Sequence, residues 1–361
     1  MSNINDYILW RGDLSFKTSP FNIIDDMILA RFSYLPFSKI KMDPIESIES
    51  IAYKFSIFKD EEFGFHGDKD LITNMGKSIR FKDLKASDFI FNTEKETEKQ
   101  FAAITIHLDD NNMYISFNGT DASVVGWKES FNLSFMENIP SQIEASKYLE
   151  AQSQKYIKSI RIGGHSKGGN IAIYSGIKAC DEIQDRIVTI TNYDGPGFSK
   201  EFVESENYKK MLNKIYTLIP QSSIIGRLLE HKENLRVIKS IEKGIYQHDI
   251  FSWQVLGTTP ILLPKTEKDS DFFNQTIHNW LKETTPQQRK IFIDAIFELF
   301  DTTHINSLKN FSEFDLKKIN ELLKTYNNVN EEEKELIKQM IFEFIDCAKK
   351  SFFEFGSKDL N

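Results

Sequence analysis

The chain has 361 residues, a net charge of −8 and 40% hydrophobic residues, among them 30 Phe. This length accommodates one large α/β domain of about 250 residues with an extension, or two domains. The negative charge is spread along the chain without a basic stripe, so nucleic acid is not expected as a partner.

Neither a targeting segment nor a membrane span is expected. Residues 1–13 lack a basic stretch followed by an apolar one, and no apolar run approaches the roughly 20 residues that cross a bilayer. Cys180 and Cys347 are expected to be small core residues rather than a disulfide pair, and no Cys/His cluster has metal-ligand spacing. We therefore expect a cytoplasmic protein that requires neither a metal nor another cofactor.

The first 95 residues are expected to be helical. Apolar side chains at helical spacing predict a helix over residues 22–37, and a proline opens a second predicted helix over residues 44–55. The period changes over residues 101–118, which predict two strands joined by a polar turn. A further helix is predicted over residues 140–156.

Apolar, strand-like runs follow this helix at regular intervals. They occupy residues 157–162, 186–194, 214–220 and 235–240. Because strands alternate with helical runs, the pattern predicts an α/β fold with a mostly parallel central sheet flanked by helices. The earlier hairpin predicts an antiparallel edge and therefore a mixed sheet.

A glycine-rich turn separates the first of these strands from the next helical run. Residues 163–170 read GGHSKGGN, and residues 164–168 form a G-x-S-x-G pentapeptide centred on Ser166. The order of strand, tight turn and helix is that of the nucleophile elbow of α/β-hydrolases. Glycine is needed two residues to either side of the serine, because a Cβ would clash where the chain doubles back. Ser166 is therefore the predicted nucleophile.

A serine nucleophile needs a histidine base and a carboxylate that orients it, and in this fold the chain order is serine, acid, histidine. Asp194 ends a predicted strand and begins a Gly-Pro-Gly turn, which would direct its carboxylate to the carboxyl edge of the sheet. No carboxylate follows the strand that ends at Pro220, and this favours Asp194. The alternative is that Asp194 only accepts hydrogen bonds within its turn.

Chain order leaves two of the seven histidines as the base. Two others precede the elbow, one lies within it and is expected to pack inward, and two fall in the predicted C-terminal helices. His248 follows the strand over residues 235–240 and a short turn, whereas His231 precedes that strand. His248 is the predicted base; the alternative is a surface histidine paired with its neighbour Asp249.

Two backbone N–H groups are expected to form the oxyanion hole, those of Lys167 and of Thr120, which follows a predicted strand. The alternative for Thr120 is a plain turn at the end of that strand. Residues 121–139 then carry enough apolar side chains to cover an acyl pocket, which predicts a lid. The alternative is fixed packing of Trp127 against the core.

The C-terminal part of the chain returns to a helical period. Residues 285–288 form a capping box, and residues 331–355 predict a long amphipathic helix. We predict a hydrolase domain over residues 1–265 and a helical extension or cap over residues 266–361. Alternatives for the extension are core packing, a dimer face and a membrane-surface patch.

These motifs resemble those of known lipases. FNGTD at residues 117–121, the elbow and the Gly-Pro turn resemble class 3 (fungal-type) lipases over roughly residues 95–250. A closer resemblance, over about residues 5–257, is to a bacterial group of lipase-like proteins with W-R-G-D near the N-terminus, a GHSKGGN elbow, D-G-P-G, and Q-H-D before a Trp. Both resemblances imply an α/β-hydrolase fold.

The chain departs from the class 3 pattern at three positions. Asn118 replaces the usual Arg, and Lys167 replaces Leu, which would place a cation at the pocket rim or leave a solvated surface lysine. Asp194 looks more like the acid of pancreatic-type lipases. These departures argue against a long-chain triacylglycerol as the substrate.

The expected function is hydrolysis of a carboxylic ester through an acyl-enzyme on Ser166, and the resemblance favours a lipid-like or small ester, including a phospholipid or lysophospholipid. One alternative is a catalytically silent binding or scaffold protein that uses its aromatic C-terminal helices for interaction. Another is a thioesterase or acyltransferase. The expected partner is thus an ester substrate, with the C-terminal helices as a candidate for contact with a membrane surface.

Overall fold

A computed structural model of the chain describes residues 2–120, 124–267, 281, 284–291 and 293–294. The strands in chain order are β1 (Ile45–Ser47), β2 (Lys85–Glu94), β3 (Lys99–His107), β4 (Asn112–Phe117), β5 (Ser159–His165), β6 (Ile187–Tyr193), β7 (Ile215–Pro220), β8 (Leu235–Ile238), β9 (Val255–Leu256), β10 (Thr259–Pro260) and β11 (Leu262–Leu263). The α-helices are α1 (Ile4–Arg11), α2 (Ile23–Phe32), α3 (Ile48–Phe55), α4 (Asp68–Lys77), α5 (Val124–Asn132), α6 (Pro140–Lys155), α7 (Lys167–Lys178), α8 (Asp181–Arg186), α9 (Lys200–Val203) and α10 (Glu206–Met211).

One mixed sheet organises this part of the chain. Its strand order is β1-β2-β3-β4-β5-β6-β7-β8-β11, and β9 pairs with β10 in a separate hairpin. Strands β4 to β8 are parallel, whereas β1 to β4 pair antiparallel and β11 is antiparallel to β8. The predicted fold class is confirmed: an α/β-hydrolase fold with a parallel central region and a helical N-terminal segment.

Helices cover both faces of the sheet. Two successive residues of β4 show this, because their side chains point to opposite faces of the sheet. Tyr114 packs in a core shared with α1 to α4, and Ile115 packs in a core shared with α6 and α7. The two cores are separate clusters of buried apolar side chains. None of the helices within the described residues is long and apolar enough to cross a membrane.

Most of the predicted elements after residue 100 are confirmed. The hairpin is β3 and β4, the predicted helix over residues 140–156 is α6, and the four strand-like runs are β5 to β8. The predicted helix over residues 22–37 is also confirmed as α2, although it ends earlier, at Phe32.

The prediction for the N-terminal segment was wrong in two places. The predicted helix over residues 44–55 begins only at Ile48, because Ser47, the last residue of β1, is its N-cap and accepts from Ser50 N at 3.2 Å. Strand β2 lies in a region expected to be helical. The register of β2 shifts after Ser87, where Asp88 has φ 56°. Buried and exposed side chains therefore do not alternate regularly along β2, and the sequence lacks the usual strand pattern.

The expectation for Cys180 is also corrected. Helix α7 ends at Lys178, and Cys180 is exposed at the start of α8 rather than buried in the core. The capping box at residues 285–288 is confirmed, since Thr285 N donates to Gln288 Oε1 at 2.8 Å. Cys347 and the predicted helix over residues 331–355 lie outside the described residues, and the boundary at residue 265 stays a prediction.

Helix α2 is buried along nearly its whole length, although it carries three ionisable side chains. All residues from 24 to 32 are buried. Asp25 binds the Arg80 guanidinium through two hydrogen bonds of 2.6 and 2.5 Å, and Arg31 binds Asp68 through two of 2.7 and 2.8 Å. A buried charge is tolerated only with such a partner, so these pairs fix α2 against the rest of the N-terminal segment.

The third side chain, Asp26, is bound by hydroxyl groups rather than by a cation. Its Oδ1 accepts from Thr191 Oγ1 at 2.6 Å and from the hydroxyls of Tyr114 and Tyr193 at 2.9 Å each. Burial raises the pKa of Asp26 to about 6, although these hydrogen bonds lower it in part. The carboxylate thereby ties α2 to β4 and β6.

The pH dependence of unfolding should report this carboxyl group. Because the folded pKa of Asp26 lies above its ordinary value of 3.8, its contribution to stability is present below about pH 4 and is lost as the pH rises through about 6. In Asp26→Asn, we expect the change in unfolding free energy between pH 4 and pH 7 to shrink by on the order of 2–3 kcal/mol. Urea titrations of both proteins measure this; identical pH profiles would contradict it.

Candidate active site

Ser166 lies on the tight turn between β5 and α7. Its backbone has φ 58° and ψ −134°, a conformation that costs a non-glycine residue about 1–3 kcal/mol. The turn is fixed on both sides, because Ser166 N donates to Tyr193 O at 2.8 Å and Gly169 N donates to Ser166 O at 2.9 Å. The serine is therefore held in a strained and well-defined position.

Two glycines permit this turn, as the sequence predicts. A Cβ on Gly164 would collide with the backbone of Gly168 and with Phe117 O. A Cβ on Gly168 would collide with Phe117 O as well. The end of β4 thus packs directly on the elbow, and this approach places the loop after β4 beside Ser166.

Asp194 follows β6 and is buried, with φ 54°. Its Oδ2 lies 2.6 Å from His248 Nδ1. Its Oδ1 accepts from Ser223 Oγ at 2.5 Å and from Gly226 N at 3.1 Å. Both oxygens of the carboxylate therefore have partners, and the side chain is oriented toward the histidine.

His248 ends a short 3₁₀ turn over Gly244–His248, and the carbonyl groups of the last two residues of this turn both have hydrogen-bond partners. Its carbonyl oxygen lies 2.7 Å from His165 Nε2, and the Trp253 indole donates to Gln247 O at 2.6 Å. Within the described part of the chain, the hydrogen bonds of His248 go to Asp194 and His165, and none goes to the hydroxyl of Ser166. Catalytic hydrogen bonds often tighten only when substrate binds.

His165, the residue before the serine, is buried and positions the histidine loop. Burial, together with His248 and Arg31, lowers the pKa of His165 well below its usual value, so its ring is neutral. Because Nε2 donates to a carbonyl, Nδ1 is the unprotonated nitrogen. The Tyr34 hydroxyl donates to His165 O at 3.0 Å and also lies 3.2 Å from Nδ1. The rings of His165 and His248 lie 4.5 Å apart.

The two predicted oxyanion donors are on segments that meet at the elbow. A Cβ on Gly119 would lie 3.1 Å from Ser166 Cβ, so the residue before Thr120 is adjacent to the serine. Lys167 is the first residue of α7, where backbone N–H groups have no acceptor within the helix. The roles of both N–H groups stay predictions.

The expectation for the Lys167 side chain is wrong. Its ammonium is neither at a pocket rim nor solvated; it is buried and lies 2.6 Å from Glu129 Oε2. Gln100 adds two acceptors, its carbonyl oxygen at 2.6 Å and its Oε1 at 2.9 Å. These three acceptors make burial of the cation possible, so Lys167 does not offer a charge to an anionic substrate.

His231 belongs to a separate pair. Its Nδ1 lies 3.0 Å from Glu233 Oε1, and both side chains are largely buried. Burial tends to raise the pKa of Glu233, but His231 and the hydroxyls of Tyr208 and Thr217 bring it to about 2. This carboxylate is not Asp194, so of the two candidate histidines it is His248 that the structure brings to the predicted triad acid.

The segment predicted to be a lid contains α5, which follows the Gly119–Thr120 loop. Residues 121–123 and the side chain of Trp127 lie outside what the structure describes, so the choice between a lid and fixed packing of Trp127 stays open on that side chain. The second half of α5 is anchored, because Glu129 and Asn132 are buried.

Three residues with clear positions around the site were missed from the sequence. Ser223 lies in the turn after β7, where no carboxylate was found, and a search for any polar partner of Asp194 would have selected it. Glu129 could have been inferred only from the need of Lys167 for a carboxylate. Tyr34 carries no sequence signal, because it reaches His165 from a distant helix end.

A strained serine between strand and helix, beside a His–Asp pair at one edge of a mixed sheet, defines the α/β-hydrolase class. Within this class, the chain belongs to the Mbeg1-like family, whose model matches residues 75–298. The chain is similar to the protein in the crystal structure of M37 lipase, at 14% sequence identity, with 75% of this chain and 98% of that chain covered and a TM-score of 0.36. A search of curated proteins finds no match.

The orientation of Asp194 predicts the tautomer of His248 in a variant. In Asp194→Asn, the amide oxygen should stay with its donors Ser223 and Gly226, which turns the NH₂ group toward His248 Nδ1. His248 should then change from the Nδ1–H to the Nε2–H tautomer. Nitrogen-15 NMR of the histidine rings measures this; Asp249→Asn is the matched control, and an unchanged His248 spectrum in Asp194→Asn would refute the assignment.

Proposed function

We propose that this protein is a serine hydrolase that cleaves carboxylic esters through an acyl-enzyme on Ser166. The observation that carries the proposal is the 2.6 Å contact between His248 Nδ1 and Asp194 Oδ2, formed beside a strained elbow serine. A carboxylate in this position keeps the proton on Nδ1 and leaves Nε2 free to act as a base. Membership of the Mbeg1-like family is compatible with this chemistry but does not specify it.

In the acylation step, Ser166 Oγ would attack the ester carbonyl carbon while His248 Nε2 takes the hydroxyl proton. The electron pair of the carbonyl moves to its oxygen, and the N–H groups of Lys167 and Thr120 would stabilise that oxyanion. As the intermediate collapses, the bond to the alcohol breaks and His248 returns the proton to the leaving alkoxide. Asp194 stabilises the imidazolium that exists between these two transfers.

Deacylation repeats the sequence with water as the nucleophile. His248 takes a proton from water, the resulting hydroxide adds to the acyl carbon, and the same two N–H groups stabilise the oxyanion. The bond to Ser166 Oγ then breaks, the serine regains its proton from His248, and the carboxylic acid leaves. All of the protons move between water, substrate and these side chains, so the chemistry is complete with the residues named.

The substrate we propose is a lipid-like or small ester, including a phospholipid or lysophospholipid. The resemblance to lipases around the elbow supports this class, as do the apolar side chains of the segment over residues 121–139. The buried ion pair of Lys167 provides no attraction for a negative head group. Selection between these esters would therefore depend on the shape of the acyl pocket rather than on this charge.

The first test is labelling by a fluorophosphonate probe together with hydrolysis of short-chain p-nitrophenyl esters. Both should be present in the wild-type protein and absent in Ser166→Ala, because only an activated serine reacts with the phosphorus centre. The far-ultraviolet circular dichroism of the two proteins should match. A folded wild-type protein that neither takes the label nor cleaves the esters would favour a binding or scaffold role instead.

The second test compares two histidines by the same substitution. His248→Asn keeps a donor near Asp194 but removes the base, so kcat should fall by about 10³-fold or more. His231→Asn keeps a donor to Glu233 and should leave kcat within about twofold, although it can lower the melting temperature because that pair is buried. A large loss of kcat in His231→Asn with little loss in His248→Asn would reverse the assignment.

A further inference from the structure

The side chain of Lys167 forms an ion pair with Glu129 that both partners bury. Their side chains are 1% and 0% exposed, and the contact is 2.6 Å long. Replacing a buried ion pair by apolar groups of similar size is often neutral or stabilising, so stability alone does not explain a charge at this position. The position itself, directly after the serine nucleophile, suggests that the pair serves the site.

The carboxylate of Glu129 connects four elements. Besides the Lys167 ammonium at the start of α7, it accepts from Gln100 N in β3 at 3.0 Å and from Ser141 N in the first turn of α6 at 2.8 Å. Glu129 itself belongs to α5, and the groups involved are buried. Helix α5 is therefore fixed relative to the residue whose N–H is a proposed oxyanion donor.

The neighbouring residue of α5 contacts the second proposed donor. Ser130 Oγ lies 2.5 Å from Thr120 Oγ1, and Ser130 Oγ also lies 3.0 Å from Gly126 O within the helix. Consecutive residues of one helix thus contact the two segments whose N–H groups would face the oxyanion. Glu129 contacts Lys167, and Ser130 contacts Thr120.

We propose that α5 positions the oxyanion hole from both sides, with Glu129 fixing Lys167 and Ser130 fixing Thr120; this inference rests on the proposed function. Oxyanion donors act only when they are in place before charge develops, and misplacement by about 1 Å costs roughly 100-fold in rate. The second half of α5 is then a fixed wall of the site.

The test measures oxyanion stabilisation separately from folding. The variants are the double substitution Lys167→Met with Glu129→Gln, which leaves no unpaired buried charge, and Ser130→Ala, with Ser130→Thr as its conservative partner. The substrates are p-nitrophenyl butyrate and the analogue with C=S in place of C=O. Sulfur is a weak hydrogen-bond acceptor, so the ratio of oxo to thiono rates reports the donors.

We expect kcat for the oxo ester to fall about 10- to 100-fold in the double variant with KM within about twofold, and the oxo-to-thiono ratio to fall about tenfold. Ser130→Ala should also lower the oxo-to-thiono ratio. Ser130→Thr keeps the hydroxyl and should give a ratio close to that of the wild-type protein. The matched control removes another buried pair, Arg80→Met with Asp25→Asn, and should change the melting temperature but not the ratio.

The outcomes separate this inference from the proposed function. An active wild-type enzyme whose ratio is unchanged in the double variant and in Ser130→Ala overturns the inference alone, since the contacts are then only structural. If the double variant does not fold, the ratio in Ser130→Ala and its recovery in Ser130→Thr decide the question. A wild-type protein that cleaves neither ester overturns the proposed function, and the inference with it.

Discussion

Each ionisable side chain on the buried helix α2 requires a partner, and much of the N-terminal segment is arranged to provide one. Arg80 and Asp68 reach α2 from elsewhere in that segment, while Asp26 binds hydroxyls on β4 and β6. The helix is thereby fixed under the strands that lead to the site, and Tyr34, just beyond it, contacts His165. Residues before position 75, where the family match begins, are thus part of the site's support.

The proposed site has an acid–base side and an oxyanion side, which are supported by different parts of the fold. Asp194 is oriented by Ser223, in the turn after β7, and the loop of His248 is held by His165, the last residue of β5. The oxyanion side depends on α5 and on a buried ion pair. A change at Ser223 should therefore act first on the acid–base side, and a change in α5 should act first on the oxyanion side.

The elbow and the Asp194–His248 pair were predictable because the glycine spacing is local and chain order restricts the partners. The surroundings of the site were not, because Tyr34 and Glu129 approach from segments more than 35 residues away in the chain. Burial of Lys167 was unpredictable for the same reason: a lysine is expected at the surface unless its distant acceptors are known. Strand β2 was missed because the irregularity at Asp88 interrupts its alternation.

Ser166 and Asp194 share one backbone property, a positive φ at a residue that is not glycine. Glycine at either position would relieve the strain, so the chain forgoes stability at the two points where a serine hydroxyl and a carboxylate are presented. A protein that used this fold only as a scaffold would gain by accepting glycine there. Loss of either side chain to glycine would exchange a group of the proposed site for relief of backbone strain.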